Sequence, residues 1–169
     1  IMIPHSRPSI DQEEIRAVTA VLQSGHLAQG AVVERFERGM AAYLGLAGGV
    51  AVNSGTMARE VALRVLGVGP GDEVILPSYV CAAPWQAVQR VGAQARLVDI
   101  EPETFQIDAD LTRVAITSRT RAIIVPHLFG LAADLTRLAQ LGVPLIEDCA
   151  QTLGAMEQGR AVGSVGTLT

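Results

Sequence analysis

Two short segments carry the residue types and spacing for chemistry: Asn53-Ser54-Gly55-Thr56 and Glu147-Asp148-Cys149-Ala150-Gln151. Each follows an apolar run of strand length, residues 50–52 and 143–146. Each therefore falls where an open α/β sheet places ligands, outside the carboxyl ends of its strands. Ser54, Gly55 and Thr56 are small residues at the expected start of a helix. Free N–H groups and the positive end of the helix dipole can hold an anion there, although Ser and Thr are also ordinary helix caps. Asp148 and Gln151, three positions apart, suit a ring nitrogen and a nearby oxygen. A carboxylate aimed at a pyridine nitrogen stabilises the protonated ring and makes it an electron sink. Together the segments point to a phosphorylated heteroaromatic cofactor. Glu147 and Asp148 are adjacent, so on a continuing strand only one of them faces a given ligand.

Other residues have a chemical and a plain structural reading. Tyr79 and Trp85 are able to stack on a planar cofactor or to pack in the core. His127, just after Pro126, is a candidate proton shuttle or a hydrogen-bonded strand end. Cys81 and Cys149 read as small buried hydrophobes rather than nucleophiles, and Arg160 as an anion holder or a solvated side chain. No Gly-x-Gly-x-x-Gly and no Gly-Lys-Ser/Thr is present, which removes support for dinucleotide and P-loop sites.

The elements that must position these residues alternate along the chain. Ser9 and Gln12 have capping-box spacing ahead of a helix stopped by Gly25. A second helix is expected over 32–44. Then follow a strand at 50–52, a helix over 57–66, a strand at 73–76, a helix over 82–91 and a strand at 95–100. Asp108 caps a helix over 111–116, a strand follows at 122–125, Asp134 caps a helix running to 141, and a strand occupies 143–146. This βαβα order predicts a three-layer α/β/α fold with a mostly parallel sheet. The last stretch crowds Gly154, Gly159, Gly163 and Gly166 before Leu168, which reads as the start of another strand, so the domain reads as incomplete.

Composition narrows the partners. The chain has 169 residues, 49% of them apolar, without a run of membrane-span length, so the hydrophobicity belongs to buried sheet. A net charge of -4 without basic clusters argues against nucleic acid or an anionic membrane. Residues 1–5 offer neither the basic nor the apolar region of a signal peptide. Two cysteines without metal or redox spacing suit a reducing, cytoplasmic compartment, and three scattered His argue against a structural metal.

The ordered motifs resemble the amino-terminal half of the DegT/DnrJ/EryC1/StrS sugar aminotransferase family. They run from Ser24-Gly25-His26-Leu27 through Asn53-Ser54-Gly55-Thr56, residues 69–79, residues 98–105 and His127-Leu128-Phe129-Gly130. They end at Ile146-Glu147-Asp148-Cys149-Ala150-Gln151, Gly159-Arg160 and Gly166. The resemblance implies the large domain of a fold-type-I enzyme dependent on pyridoxal 5'-phosphate. Residues 1–48 would be its amino-terminal helical segment and 49–169 the cofactor-binding part, with the small carboxyl-terminal domain absent. It implies that Ser54, Gly55 and Thr56 bind the cofactor phosphate, Asp148 the pyridine nitrogen, and Gln151 the region beside the ring hydroxyl. It implies a homodimer that moves an amino group, commonly from glutamate, onto a nucleotide-linked keto-sugar. Two departures stand out. The family often has an aromatic residue at the position of Cys81 to stack on the ring, so Tyr79 or Trp85 would have to compensate. The lysine that forms the Schiff base is expected after Thr169, and no Lys here matches it. The chain alone is therefore expected to be inactive. The alternatives are a dehydratase of the same family, with His in place of that Lys, or a non-catalytic chain that binds cofactor or a partner.

Overall fold

A computed structural model describes residues 7–169, so the stretch read for a signal peptide lies outside the described residues. Helix α1 (Gln12–Ser24) opens the described chain. Its cap is Asp11 rather than the expected Ser9: Asp11 accepts from Glu13 N–H at 2.8 Å, and Glu14 accepts from Asp11 N–H at 2.8 Å. Ser9/Gln12 and Asp11/Glu14 have the same spacing. The second pair supplies two carboxylates to the positive end of the helix, which favours it. Helix α2 (Ala31–Leu44) follows, and both helices stop at a left-handed glycine, Gly25 and Gly45. Helix α1 buries none of its residues, and Ile15, Val18 and Leu22 stand exposed.

From helix α3 (Gly55–Val65) onward the expected alternation holds: β1 (Glu73–Pro77), α4 (Ala82–Arg90), β2 (Gln94–Val98), α5 (Ala109–Ala115), β3 (Thr120–Pro126), α6 (Leu135–Ala139) and β4 (Leu145–Asp148). A two-residue hairpin, β5 (Met156–Glu157) with β6 (Arg160–Ala161), closes the order. The caps Asp108 and Asp134 accept N–H groups of the first turns of α5 and α6, as their residue types predict. The four main strands form one sheet in the order β2-β1-β3-β4, all parallel.

Period-2 alternation divides the core in two. Val74 and Leu76 of β1, Ala122 and Ile124 of β3 and Ile146 of β4 pack with Leu63, Ala87 and Val88 of α3 and α4. Ile75, Ile123, Val125 and Leu145 point the other way, onto Ala109, Leu135 and Leu138 of α5 and α6. The sheet is thus covered on both faces, as a parallel sheet requires.

One expected strand is missing. Residues 50–52 form no strand, and Val50 is 79% exposed. A strand exists by pairing, and among the described residues none lies alongside; instead Ala51 N–H donates to Glu37 Oε1 at 2.7 Å. At the other end, Leu168 does begin to pair, bridging to Ile146 in parallel on β4. Among the described residues no helix is long and apolar enough to cross a membrane.

Candidate functional site

The first half of the site is the start of α3. Ser54 is its N-cap in extended conformation, and its Oγ accepts Met57 N–H at 3.2 Å. Gly55 and Thr56 are the first two helical residues, so their N–H groups have no partner within the helix. The second half is Asp148, the last residue of β4. Its Oδ1 accepts Ala150 N–H at 3.2 Å, which fixes the turn after the strand. Its Oδ2 accepts from Arg59, through Nε at 3.0 Å and through a second guanidinium N–H.

Arg59 joins the two halves. It lies four residues into α3, one turn beyond Gly55, and a Cβ at Gly55 would sit 3.3 Å from its Nη1. A single guanidinium therefore reaches from the start of the helix to the carboxylate at the strand end. Both side chains of the pair are nearly withdrawn from solvent, 11% and 14% exposed. Gly55, Arg59 and Asp148 all line a cavity of about 450 Å³ whose other walls include Phe36, Met40 and Leu46. That volume falls within the range of small-molecule sites. The donor set fits a phosphorylated pyridine: Asp148 already accepts a planar cationic N–H, and Gly55, the first residue of α3, lines the same cavity.

The adjacent carboxylate turns the opposite way. Glu147 is buried, and its Oε2 accepts from His127 Nε2 at 3.1 Å and Gly163 N–H at 2.7 Å. Its Oε1 accepts from Val165 N–H at 2.9 Å and from Gly166 N–H. His127 Nδ1 accepts Ala133 N–H at 3.0 Å, so the ring proton sits on Nε2 and points at Glu147. Burial by itself would push the Glu147 carboxyl up, but the His127 bond and the three backbone donors hold it below the usual glutamate range. These bonds fold the segment 163–168 back onto β4, where Glu147 N–H donates to Leu168 O at 2.9 Å. The glycines permit the approach: a Cβ at Gly166 would lie 3.0 Å from both Glu147 Cγ and Leu145 O. Cys149 lies within 4.8 Å of His127 and Glu147, but both Glu147 oxygens are already taken by donors, so the trio is a hydrogen-bonded clamp rather than a metal centre. His127 is thus held in structure.

The remaining candidates sit apart from this cavity. Tyr79, Phe105 and Phe129 form a mutually packed, half-exposed trio with ring centroids 5.4–6.5 Å apart. Gln151 Oε1 accepts Phe129 N–H at 2.9 Å and so belongs to that group. Cys81 is the exposed N-cap of α4, Trp85 is half-exposed on the same helix, and Arg160 is exposed on β6. The sequence reading did not single out Arg59. Its only local signal is the i,i+4 relation to Gly55, which places it over the first turn of the helix. Its partner lies 89 positions away.

Comparison with known proteins bears on the family and the fold. The family model described as DegT/DnrJ/EryC1/StrS aminotransferase family matches residues 8–169. The chain is 40% identical over 167 residues to 3-amino-5-hydroxybenzoate synthase of Amycolatopsis mediterranei, covering 95% of the chain and 43% of that enzyme. It is 42% identical over 153 residues to dTDP-3-amino-3,4,6-trideoxy-alpha-D-glucose transaminase of Micromonospora megalomicea, covering 88% and 41%. The Streptococcus pneumoniae protein Spr1654, described as a sugar aminotransferase and solved in a PLP form, superposes with a TM-score of 0.93. It is 36% identical, over 97% of this chain and 47% of its own. The chain spans under half the length of these relatives. On sequence, fold and the placement of its motifs, the chain belongs to the DegT/DnrJ/EryC1/StrS aminotransferase family.

Proposed function

We propose that this chain is the cofactor-binding part of a pyridoxal-phosphate-dependent transaminase that acts on a nucleotide-linked keto-sugar with glutamate as amino donor. The observation that carries the reading is the pairing of Asp148 with a planar cation in a cavity that Gly55, at the start of α3, also lines. When bound, pyridoxal phosphate supplies a pyridinium ring that withdraws electrons from the carbon bearing the transferred nitrogen. Asp148 would hold the ring nitrogen protonated, and the N–H groups of Gly55 and Thr56 with the Ser54 hydroxyl would hold the phosphate. Gln151 and the trio containing Tyr79 lie outside the cavity lining and take no part in this reading. The sugar-nucleotide choice rests on the dTDP-sugar transaminase among the relatives.

Residues 49–169 would serve as the cofactor-binding portion of a larger domain and 1–48 as its helical preface, in a cytoplasmic homodimer. The thirteen basic residues are all arginine, so the chain contains no side-chain amine to hold the cofactor covalently. Turnover would then require a lysine supplied from beyond these residues.

The test is release of 2-oxoglutarate from glutamate by a full-length protein carrying this sequence. Release is expected to depend on pyridoxal phosphate and on a nucleotide-linked keto-sugar. Asp148→Ala is expected to lower kcat at least a hundredfold while changing KM little, because the loss falls on the ring's electron demand. Near-normal turnover in that variant would sink the assignment.

A further inference from the structure

Arg59 poses a charge problem that the reading above leaves open. Its side chain is 11% exposed, and among the described residues its hydrogen bonds go to Asp148 alone. Both bonds end on Oδ2, while Oδ1 accepts Ala150 N–H. Oδ2 already accepts both guanidinium N–H groups, so a protonated pyridine nitrogen that takes this oxygen displaces the guanidinium from it. A cation so withdrawn from water cannot be left without a counterion. It already lies over the first turn of α3, with Nη1 3.3 Å from where a Gly55 Cβ would be. The absence of a side chain at Gly55 is what lets it lie there.

We propose that Arg59 is an exchangeable counterion of the cofactor site: it yields Asp148 to the cationic ring of a phosphorylated pyridine and turns its planar fork onto that ligand's phosphate. The proposal rests on the pyridoxal-phosphate reading of this site and adds to it a phosphate ligand and a selectivity. Charges balance in the exchange. The ring cation replaces the guanidinium at Asp148, and the phosphate, shared between helical N–H groups and Arg59, replaces Asp148 as the guanidinium's partner. Arginine suits the second role because its parallel N–H groups match two phosphate oxygens. A ligand with the cationic ring but no phosphate would break the Arg59–Asp148 pair and offer nothing in return. The site should therefore discriminate strongly against it.

Pyridoxamine 5'-phosphate and pyridoxamine are suitable probes, since neither needs a lysine and both fluoresce. Titrated into the full-length protein carrying this sequence, the phosphorylated form is expected to bind at least tenfold more tightly. Arg59→Leu is expected to lower its affinity at least tenfold, the scale of one lost charge-assisted hydrogen bond. The same change should leave pyridoxamine binding equal or stronger, because Asp148 is released. Arg59→Lys keeps the charge without the fork and should lower affinity for the phosphorylated form several-fold, with pyridoxamine unaffected. This variant decides the matter if Arg59→Leu fails to fold, as judged by circular dichroism. Phosphate preference undiminished in the folded variants, or tighter binding of the phosphorylated form to Arg59→Leu, would overturn the proposal and make Arg59 a plug. If binding is sensitive to Asp148→Asn but insensitive to Arg59, only this inference falls. If the full-length protein binds neither probe, the cofactor reading falls with it.

Discussion

Replacing Glu147 by Gln removes one buried charge and reverses the hydrogen-bonding sense of one atom. The carboxylate accepts four bonds, from His127 and Gly163 on one oxygen and from Val165 and Gly166 on the other. An amide accepts on one side and donates on the other. If its oxygen serves Val165 and Gly166, its NH2 faces Gly163 N–H and the His127 ring proton. Moving that proton to Nδ1 only transfers the clash to Ala133 N–H. If the amide is flipped, its NH2 faces Val165 and Gly166. Every arrangement leaves two N–H groups facing a donor. At about 1–3 kcal/mol for each unsatisfied buried group, the loss is about 2–6 kcal/mol, a large part of the ~5–15 kcal/mol that holds a typical domain together. Urea unfolding at pH 7 measures it. The pH dependence gives a second check. The folded-state pKa of Glu147 is lowered, so its stabilisation is present above the unfolded value of about 4.3 and fades as pH falls below it. The gap between wild type and Glu147→Gln should therefore narrow in acid. A loss under about 1 kcal/mol at pH 7, below the bottom of this range, or a gap constant with pH, would refute the reasoning.

Two further expectations concern neighbours of the site. Burial raises the Cys149 thiol above its ordinary pKa, while Cys81 stands exposed at the start of α4. Alkylation with iodoacetamide at pH 8 should label Cys81 at least about tenfold faster, read by peptide mass spectrometry; equal rates would contradict the packing around Cys149. Ser54→Ala removes the cap bond to Met57 N–H and should cost about 1 kcal/mol in urea unfolding, with Ser54→Asp retaining most of it. An unchanged Ser54→Ala midpoint would mean that another group caps α3.

The sequence displays what is local. The caps Asp108 and Asp134, the strand alternation and the opposition of Glu147 to Asp148 follow from residue type and period, and the structure has them. The strand expected at 50–52 was misread because apolarity does not provide a partner strand. The α1 cap was placed two residues early because two pairs share the same spacing and only their chemistry separates them. Gly55 and Asp148 were legible as candidates from their positions after apolar runs. Arg59 was not: its meaning depends on an atom 89 positions away, and no local pattern encodes that distance.

The order β2-β1-β3-β4 also bears on how the chain reaches this state. Neighbouring strands in this sheet are all parallel, so none is joined by a tight hairpin, and no pair can zip up from a turn. Two local units are able to form, β1 with β2 across α4 and β3 with β4 across α6; joining them places β3 on the far side of β1 from β2. Contact order is consequently high for a chain of this size, and chain closure must precede any reward from the sheet. Folding should follow the slower kinetics of non-local topologies, with β1 exposed on one side until β3 docks.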